Sequence, residues 1–293
     1  MASEIERLSC IALLLRNDWS KQASLRAALV ESVRPSEMLK ANDDAGHWLG
    51  EAEYKLSEWE SEGLQVVTYA DAHYPAQLRD VHDFPIALFW RGQLWESRVV
   101  EPAVAIVGSR DASDRATETA AWVASRLGDS GVSVVSGLAK GVDAAAHNAA
   151  LAAHGRPVGV IGTGIDKSYP KENSALQNEV ASSGLLISQF KPGSSPTKQS
   201  FPMRNVVMSA FSSATLIIEA SEKSGTKHQA EAAVRHGRPL VLSSAVVRTT
   251  TWGRKFADMG KDAEVVVAST PREALDAVTD FALRSRSFSM SLV

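Results

Sequence analysis

The sequence predicts an α/β protein. A doubly wound, mainly parallel sheet is expected over 99–285, preceded by a smaller, mostly helical N-terminal domain with a linker over 1–98 and followed by a tail over 286–293. Three observations carry that prediction. Across the second region, short and fully apolar β-rich runs alternate with Ala-rich amphipathic stretches, as strands buried on both faces and joined by helical crossovers do. Glycine-bearing turns follow the ends of several of those runs. The 293 residues are 44% hydrophobic with a net charge of -3, which gives apolar volume for about two domains of ~150 residues and excludes wholesale disorder.

In the N-terminal region, 3–15 and 24–33 have helical apolar spacing, and Arg34-Pro35 is expected to end the second helix. A third helix over 46–62 places Trp48, Leu49, Ala52, Leu56 and Trp59 on one face. Then 64–69 reads as a strand, Tyr74-Pro75 as a turn or short helix, and Phe84-Pro85 restarts the chain into the apolar 86–90. Trp19, Trp48, Trp59, Trp90 and Trp95 are expected in core and domain contacts rather than as stacking platforms. In the second region, strands are expected at 104–107, 132–135, 158–161, 185–188, 215–219, 240–243 and 265–268. Helices are expected at 114–128, 142–154, 172–183, 203–212, 226–237, 253–259 and 271–284, with right-handed crossovers. From Ser285 the chain reads as a frayed end, and no winged-helix domain is expected after the last helix.

Charge and cysteine usage narrow the function classes. With Lys+Arg 31 against Asp+Glu 34, a uniformly basic coat is excluded, so any nucleic acid would have to sit in a local cationic groove. The single cysteine, Cys10, excludes an intrachain disulfide and a cysteine-rich zinc site, and no His/Asp/Glu cluster has metal spacing. The acidic N-terminus lacks a secretory pattern and the apolar run 11–15 is too short to span a bilayer, so a cytoplasmic protein without a membrane partner is expected.

In a parallel sheet the strand C-termini share one edge, and ligands bind there where strand order reverses. Four turns of similar character fall on that edge. Gly108-Ser109-Arg110 combines a tight turn, a hydroxyl and a planar cationic fork suited to phosphate. Ser136-Gly137, with Lys140-Gly141, opens the helix at 142, where free backbone N–H groups attract anions. Gly162 and Gly164 follow the third run, and Ser224-Gly225-Thr226-Lys227 opens the helix at 226. Backbone geometry alone explains any one of these turns; four on one edge point to phosphate binding. Arg204 adds another cation, Asn205 an amide, and Phe201 either packs or stacks on a base. The polar stretch 191–199 reads as a loop at the same edge. Neither a P-loop ending nor a dinucleotide fingerprint is present, so no cofactor is expected. Asp143 and His147, one helical turn apart, are expected to hydrogen-bond and read as a brace for the Lys140 turn rather than as an acid/base pair, and Glu219 reads as a loop organiser rather than a catalytic group.

The segments VAIVGSR, VVSGLAKGVDAAAH, GVIGTGIDKSYPKEN, KPGSSPTKQSFPMRN and SATLIIEASEKSGT, in that order, resemble the DNA-processing protein A (DprA, also called Smf) family. The resemblance covers about 70–245. It implies an extended Rossmann-like fold, sequence-tolerant binding of single-stranded DNA, a homodimer, and loading of a RecA-type recombinase during DNA uptake. Carried over by position, Gly108, Ser109, Arg110, Ser136, Gly137, Lys140 and Arg204 fall in that family's DNA-binding pocket. The sequence departs from the family at Val206, where a second arginine is usual, and at Gln189, where glutamate is usual. A divergent member in a mobile-element or phage-defence setting, with a genetically linked partner, fits the same residues. Two other readings stay open. One is a nucleotide-binding sensor or an enzyme resembling the cytokinin-activating phosphoribohydrolases, although Gln229 stands where those have a glutamate and an amide cannot act as a general base. The other is an antitoxin-like or scaffold subunit. No catalytic residue is expected.

Overall fold

The computed structural model describes residues 4–16, 22–41, 44–94 and 102–290; Trp19, Trp95, the expected boundary at 98/99 and residues 291–293 of the expected tail lie outside them. The chain begins with helices α1 (Glu4–Arg16), α2 (Gln22–Val30), α3 (Pro35–Lys40) and α4 (Ala45–Ser61), then β1 (Gln65–Thr68), α5 (Ala76–Arg79) and β2 (Ala87–Gly92). The alternating part follows as β3 (Ala103–Val107), α6 (Asp114–Asp129), β4 (Ser133–Ser136), α7 (Val142–Ala152), β5 (Pro157–Val160), α8 (Ser174–Ser183) and β6 (Leu185–Ser188). It continues through α9 (Ser200–Phe211), β7 (Ala214–Ile217), α10 (Thr226–Arg235), β8 (Leu240–Ser243), α11 (Ser244–Thr249), α12 (Thr251–Met259), β9 (Val265–Ala268) and α13 (Pro271–Met290).

Among the described residues, the nine strands form one sheet in the order β1-β2-β6-β5-β4-β3-β7-β8-β9. From β6 to β9 the pairing is parallel, with Val104 opposite Val134 on one side and Ala214 on the other. Every residue of β3 to β7 is buried, which is why these strands read as continuous apolar runs rather than alternating ones. One face, presenting Val104, Ile106, Leu216 and Val241, is covered by Ala120 and Val123 of α6, Ala146 of α7 and Val278 of α13. The other, with Val107, Leu186 and Leu242, packs on Val180 of α8, Val207 and Met208 of α9 and Ala230 of α10.

The N-terminal region does not stand apart from this sheet. β1 pairs antiparallel with β2, and β2 antiparallel with β6, Trp90 lying opposite Ile187. One continuous apolar cluster holds Cys10, Phe89, Leu186 and Trp252. Trp59 is buried edge-on to Phe89, with ring centroids 4.8 Å apart, as the core expectation requires, while Trp48 and Trp90 are half-buried.

Three local expectations are corrected. Pro35 does not merely end a helix; it opens α3, since at the first helical position its missing N–H is not needed and its fixed φ suits the helix. α11 forms where only a strand end was read, because the Ser243 hydroxyl caps it by accepting from the Val246 N–H. The stretch after Ser285 is not frayed: α13 runs on to Met290, as no glycine or proline follows Pro271 to stop it. Among the described residues no helix is long and apolar enough to cross a membrane.

The connection order places the site. From β3 the chain steps outward through β4, β5 and β6, then returns to β7 on the other flank of β3. The connections leaving β3 and β7 therefore diverge and open a crevice at their C-terminal ends.

Candidate functional site

The crevice is a cavity of about 380 Å³, and its wall comes from four separate parts of the chain, one of them the turn into α7 with Ala139 and Asp143. Gly108, Ser109 and Arg110 enter from the β3 turn, Phe201, Arg204 and Asn205 from α9, and Ser224, Gly225 and Thr226 from the turn after β7. Gly108 must lack a side chain because a Cβ there would lie 2.5 Å from Val142 Cγ2, so it lets α7 approach the strand. The Ser224 hydroxyl lies 2.7 Å from that of Thr226, and Asn205 Nδ2 donates to the Gly225 carbonyl at 3.3 Å, fixing the far wall.

The floor is charged and buried. Arg204 is only 6% exposed, and its Nη1 donates to the Val160 carbonyl at 2.9 Å. A Cβ on Gly137 would sit 1.4 Å from that Nη1, so this glycine makes room for the guanidinium rather than for a ligand. Burial lowers the Arg204 pKa and the Asp143 carboxylate counters it. Burial likewise raises Asp143, opposed by Arg204 and by the N–H groups of Ala139 and Gly137. Asp143 Oδ2 accepts from Gly137 N at 3.1 Å and Ala139 N at 3.4 Å and so braces the Lys140 turn by itself; the expected hydrogen bond to His147 is not made. His147 is fully buried and desolvation pushes it down to about 4, so it is neutral at pH 7.

A second cavity, about 610 Å³, adjoins the first and shares Arg110, Ala139, Phe201 and Arg204 with it. Its remaining wall includes Gly137, Lys140, Tyr169, Pro170, Lys171, Glu172 and Pro196. The Arg110 guanidinium lies 5.3 Å from the Phe201 ring centroid, and the Tyr169 ring is 5.4 Å from Phe201. Lys140 Nζ bonds Glu172 Oε1 at 2.7 Å; that bond raises the lysine and lowers the glutamate, both at the surface.

The three expected cations thus converge, but they are not equivalent. Arg110 is exposed and makes no ion pair with a described residue, Lys140 is paired to Glu172, and Arg204 is committed to a main-chain carbonyl. Five other expected residues line neither cavity. Ser136 is sealed between strands, its hydroxyl donating to Ile106 O at 2.7 Å. Gly141, at φ 74°, packs on the Ser109 and Arg110 carbonyls, a conformation an L side chain rarely adopts. Gly162 backs the Phe201 ring, Gly164 abuts Lys191 O and Gly193 N, and Lys227 turns to Glu231 at 3.7 Å. The serine and the three glycines among them pack behind the walls, because close backbone packing and ligand contact demand the same small residues.

Some lining residues carried no sequence expectation as site residues. Lys223 and Ser221 reach the first cavity from the turn after β7. Tyr169 and Lys171 reach the second from the loop after β5; the interleaving of lysine and tyrosine in KSYPK was the available signal. Glu219 is a loop organiser, accepting from Ser113 N at 3.0 Å and Ser113 Oγ at 2.6 Å at the start of α6. Among the described residues no group of three or more His, Cys, Asp or Glu side chains could hold a metal ion.

Sheet order, crossovers and a crevice at the point of reversal define an extended Rossmann-like α/β protein with a divided trough at its C-terminal sheet edge. The family model for DNA recombination-mediator protein A matches residues 65–271, and the chain belongs to that family. It is 39% identical over 170 residues to DNA processing protein DprA of Streptococcus pneumoniae, covering 58% of this chain and 59% of that protein. To Protein Smf of Synechocystis it is 38% identical over 172 residues, covering 58% of this chain and 43% of the other. The match thus spans about half the length of these curated relatives. The crystal structure of the Streptococcus pneumoniae DNA processing protein A superposes with a TM-score of 0.73 at 25% identity, covering 94% of this chain and 98% of that one. DNA processing protein A from Helicobacter pylori, studied for its single-stranded DNA binding mode, gives 0.63 at 23% identity, covering 74% and 96%.

Proposed function

We propose that this chain binds single-stranded DNA with little sequence preference and without chemical turnover. The carrying observation is that two cavities meet at Arg110 and Phe201, the first adding hydroxyls and backbone turns and the second adding Tyr169, two prolines and two lysines. A sugar–phosphate strand carries an anion beside each flat apolar base, and cations and aromatic rings stand side by side along this wall. Arg110, Lys223 and the 224–226 turn would hold phosphate, with Gly108, Ser109 and Asn205 completing the cradle, and Lys140 joining once Glu172 is displaced. Family membership and the single-stranded DNA binding of the Helicobacter pylori relative support the same ligand.

The absence of turnover is argued from Gln229. Its buried amide donates to Thr215 Oγ1 at 3.2 Å, and of the carboxylates lining the cavity, Asp111 and Asp143, the second is held by the Gly137 and Ala139 N–H groups. A second copy of the chain and a RecA-type recombinase are proposed partners, in DNA uptake or in a defence system.

Fluorescence anisotropy of labelled oligo-dT tests the reading across a salt series, with duplex and thymidine monophosphate as competitors. Affinity should fall with salt at a log–log slope of ~0.7 per phosphate contacted. Arg110→Ala should weaken binding and make the slope shallower by about 0.7, one contact's worth. Duplex and mononucleotide should both compete poorly. No binding at low salt, or displacement by the mononucleotide at equal nucleotide concentration, would end the strand-binding reading.

A further inference from the structure

Away from both cavities, a charged seam joins the N-terminal region to the two helices that carry much of the site. α9 and α10 each begin at the crevice, the first with Phe201, Arg204 and Asn205 and the second at the 224–226 turn. At the other end of α10, about 15 Å along its axis from Thr226, the His236 side chain is wholly buried. Its Nε2 bonds Asp83 Oδ1 at 2.6 Å, and its Nδ1 lies 3.0 Å from Ser209 Oγ, toward the end of α9. Asp83 belongs to the segment between α5 and β2, so three stretches distant in sequence meet at one imidazole. Ser209 is fully buried, which denies its hydroxyl any substrate and leaves the array a tie between elements. Burial raises the Asp83 carboxyl, but the hydrogen bond and charge of His236, with Arg235 at 2.8 Å and His82 at 3.8 Å, outweigh it and hold the group at about 2. An ionised carboxylate only accepts. In the neutral ring Nε2 therefore carries the proton, and Nδ1 accepts from the Ser209 hydroxyl. The seam continues on either side, with Arg238 Nη2 donating to Gln77 O at 3.1 Å and Arg26 Nε to Phe84 O at 2.6 Å.

We propose that Asp83, His236 and Ser209 form a clasp through which the N-terminal region sets the relative placement of α9 and α10, which makes all three positioning residues for the crevice. The inference rests on the strand-binding reading and adds to it a task for the N-terminal region. α9 is tied to α10 twice from side chains one helical turn apart: Ser209 to His236 at the far end, and Asn205 Nδ2 to the Gly225 carbonyl at the crevice. The second tie spans 3.3 Å, near the long end of such bonds, so a small shift between the helices breaks it. Opening the clasp therefore loosens the 224–226 turn that would hold phosphate, without touching the ligand.

Anisotropy with labelled oligo-dT, run beside urea denaturation and hydrogen exchange of the 224–226 amides, compares the full chain with Asp83→Ala, Asp83→Asn and Ser209→Ala. Asp83→Ala should weaken binding roughly fivefold and speed exchange at the turn, with the salt slope unchanged because no phosphate contact is removed. Asp83→Asn, whose amide oxygen still accepts from Nε2, should recover most of that affinity although its charge is gone. Ser209→Ala removes one hydroxyl and should cost roughly threefold, so it carries the test if Asp83→Ala does not fold. Glu219→Ala is the control for lost stability on the opposite sheet face and should bind nearly as the unmodified chain does. Unchanged affinity in Asp83→Ala and Ser209→Ala, no recovery in Asp83→Asn, or an equal loss in Glu219→Ala would overturn the clasp while strand binding stands. If the unmodified chain does not bind oligo-dT at low salt, the strand reading and the clasp fall together.

Discussion

The same sheet edge carries a crevice on each face, and the two have different fates. On the face of α9 and α10, the crevice between β3 and β7 opens to about 380 Å³ and continues into a second cavity of about 610 Å³. On the face of α6 and α13, the space beside β7 and β8 is only about 110 Å³, although it too has hydroxyls and two arginines, Arg115 and Arg248. The difference lies in where the chain supplies its own anion. Glu219 reaches into the smaller crevice and accepts both the N–H and the hydroxyl of Ser113, satisfying the start of α6 from within. In the larger crevice the buried carboxylate, Asp143, is occupied by Gly137 and Ala139 and stands against Arg204, leaving Arg110 for an external partner. A carboxylate that bonds the start of a neighbouring helix closes its crevice; one held by its own turn and a buried arginine leaves the crevice open.

The largest effect should come from disturbing the floor of the open crevice. Gly137→Ala places a methyl group on the Arg204 guanidinium and should cost about 3 kcal/mol, through overpacking and through dislodging a buried charge from the Val160 carbonyl. Urea denaturation checks this, and an unchanged midpoint would mean the floor is softer than the packing indicates. The pH response of the same region is next. Because burial holds His147 at about 4, below its ordinary 6.5, the unfolded chain takes up the proton first. Stability contributed by the neutral ring is whole above pH 6.5 and is lost as pH falls toward 4, up to about 3 kcal/mol. His147→Gln should flatten the stability profile across that window; an equally steep profile in the variant would assign the loss to other groups.

Two smaller changes probe the contrast between the crevices directly. Glu219→Ala should destabilise by about 1–2 kcal/mol, from two lost charge-assisted hydrogen bonds, with strand affinity within about twofold. A large loss of affinity with the fold intact would erase the distinction between the closed crevice and the open one. The mildest is Glu172→Gln, which releases Lys140 at the rim of the second cavity. Strand affinity should rise by less than about tenfold, with a salt slope steeper by up to ~0.7. A fall in affinity would show that Glu172 positions Lys140 rather than competing for it.

Much of this architecture was legible along the chain. The strands over 185–188, 240–243 and 265–268 were read at their observed limits, because each is a short, near-continuous aliphatic run. The turns at Gly108 and Ser224 were placed at the crevice for the same reason of topology. Other features were not legible. Gly137 and Gly141 look alike in sequence, yet one accommodates a guanidinium and the other two carbonyl oxygens. Arg204 and Arg110 look alike too, and only one faces outward. Nothing local to 86–90 foretells that β2 joins the edge of the main sheet against β6, since that pairing depends on a partner about a hundred residues away.

By itself the sequence determined the elements, their order and the edge on which ligand chemistry gathers, because period, apolarity and turn residues are local properties that survive any packing of the whole. The tertiary structure alone decided which cations are free, which glycines serve packing and which aromatic faces the trough. Those outcomes depend on burial and on contacts between distant segments, where a neighbour's carboxylate or backbone settles whether a charge is consumed within the molecule or left for a ligand.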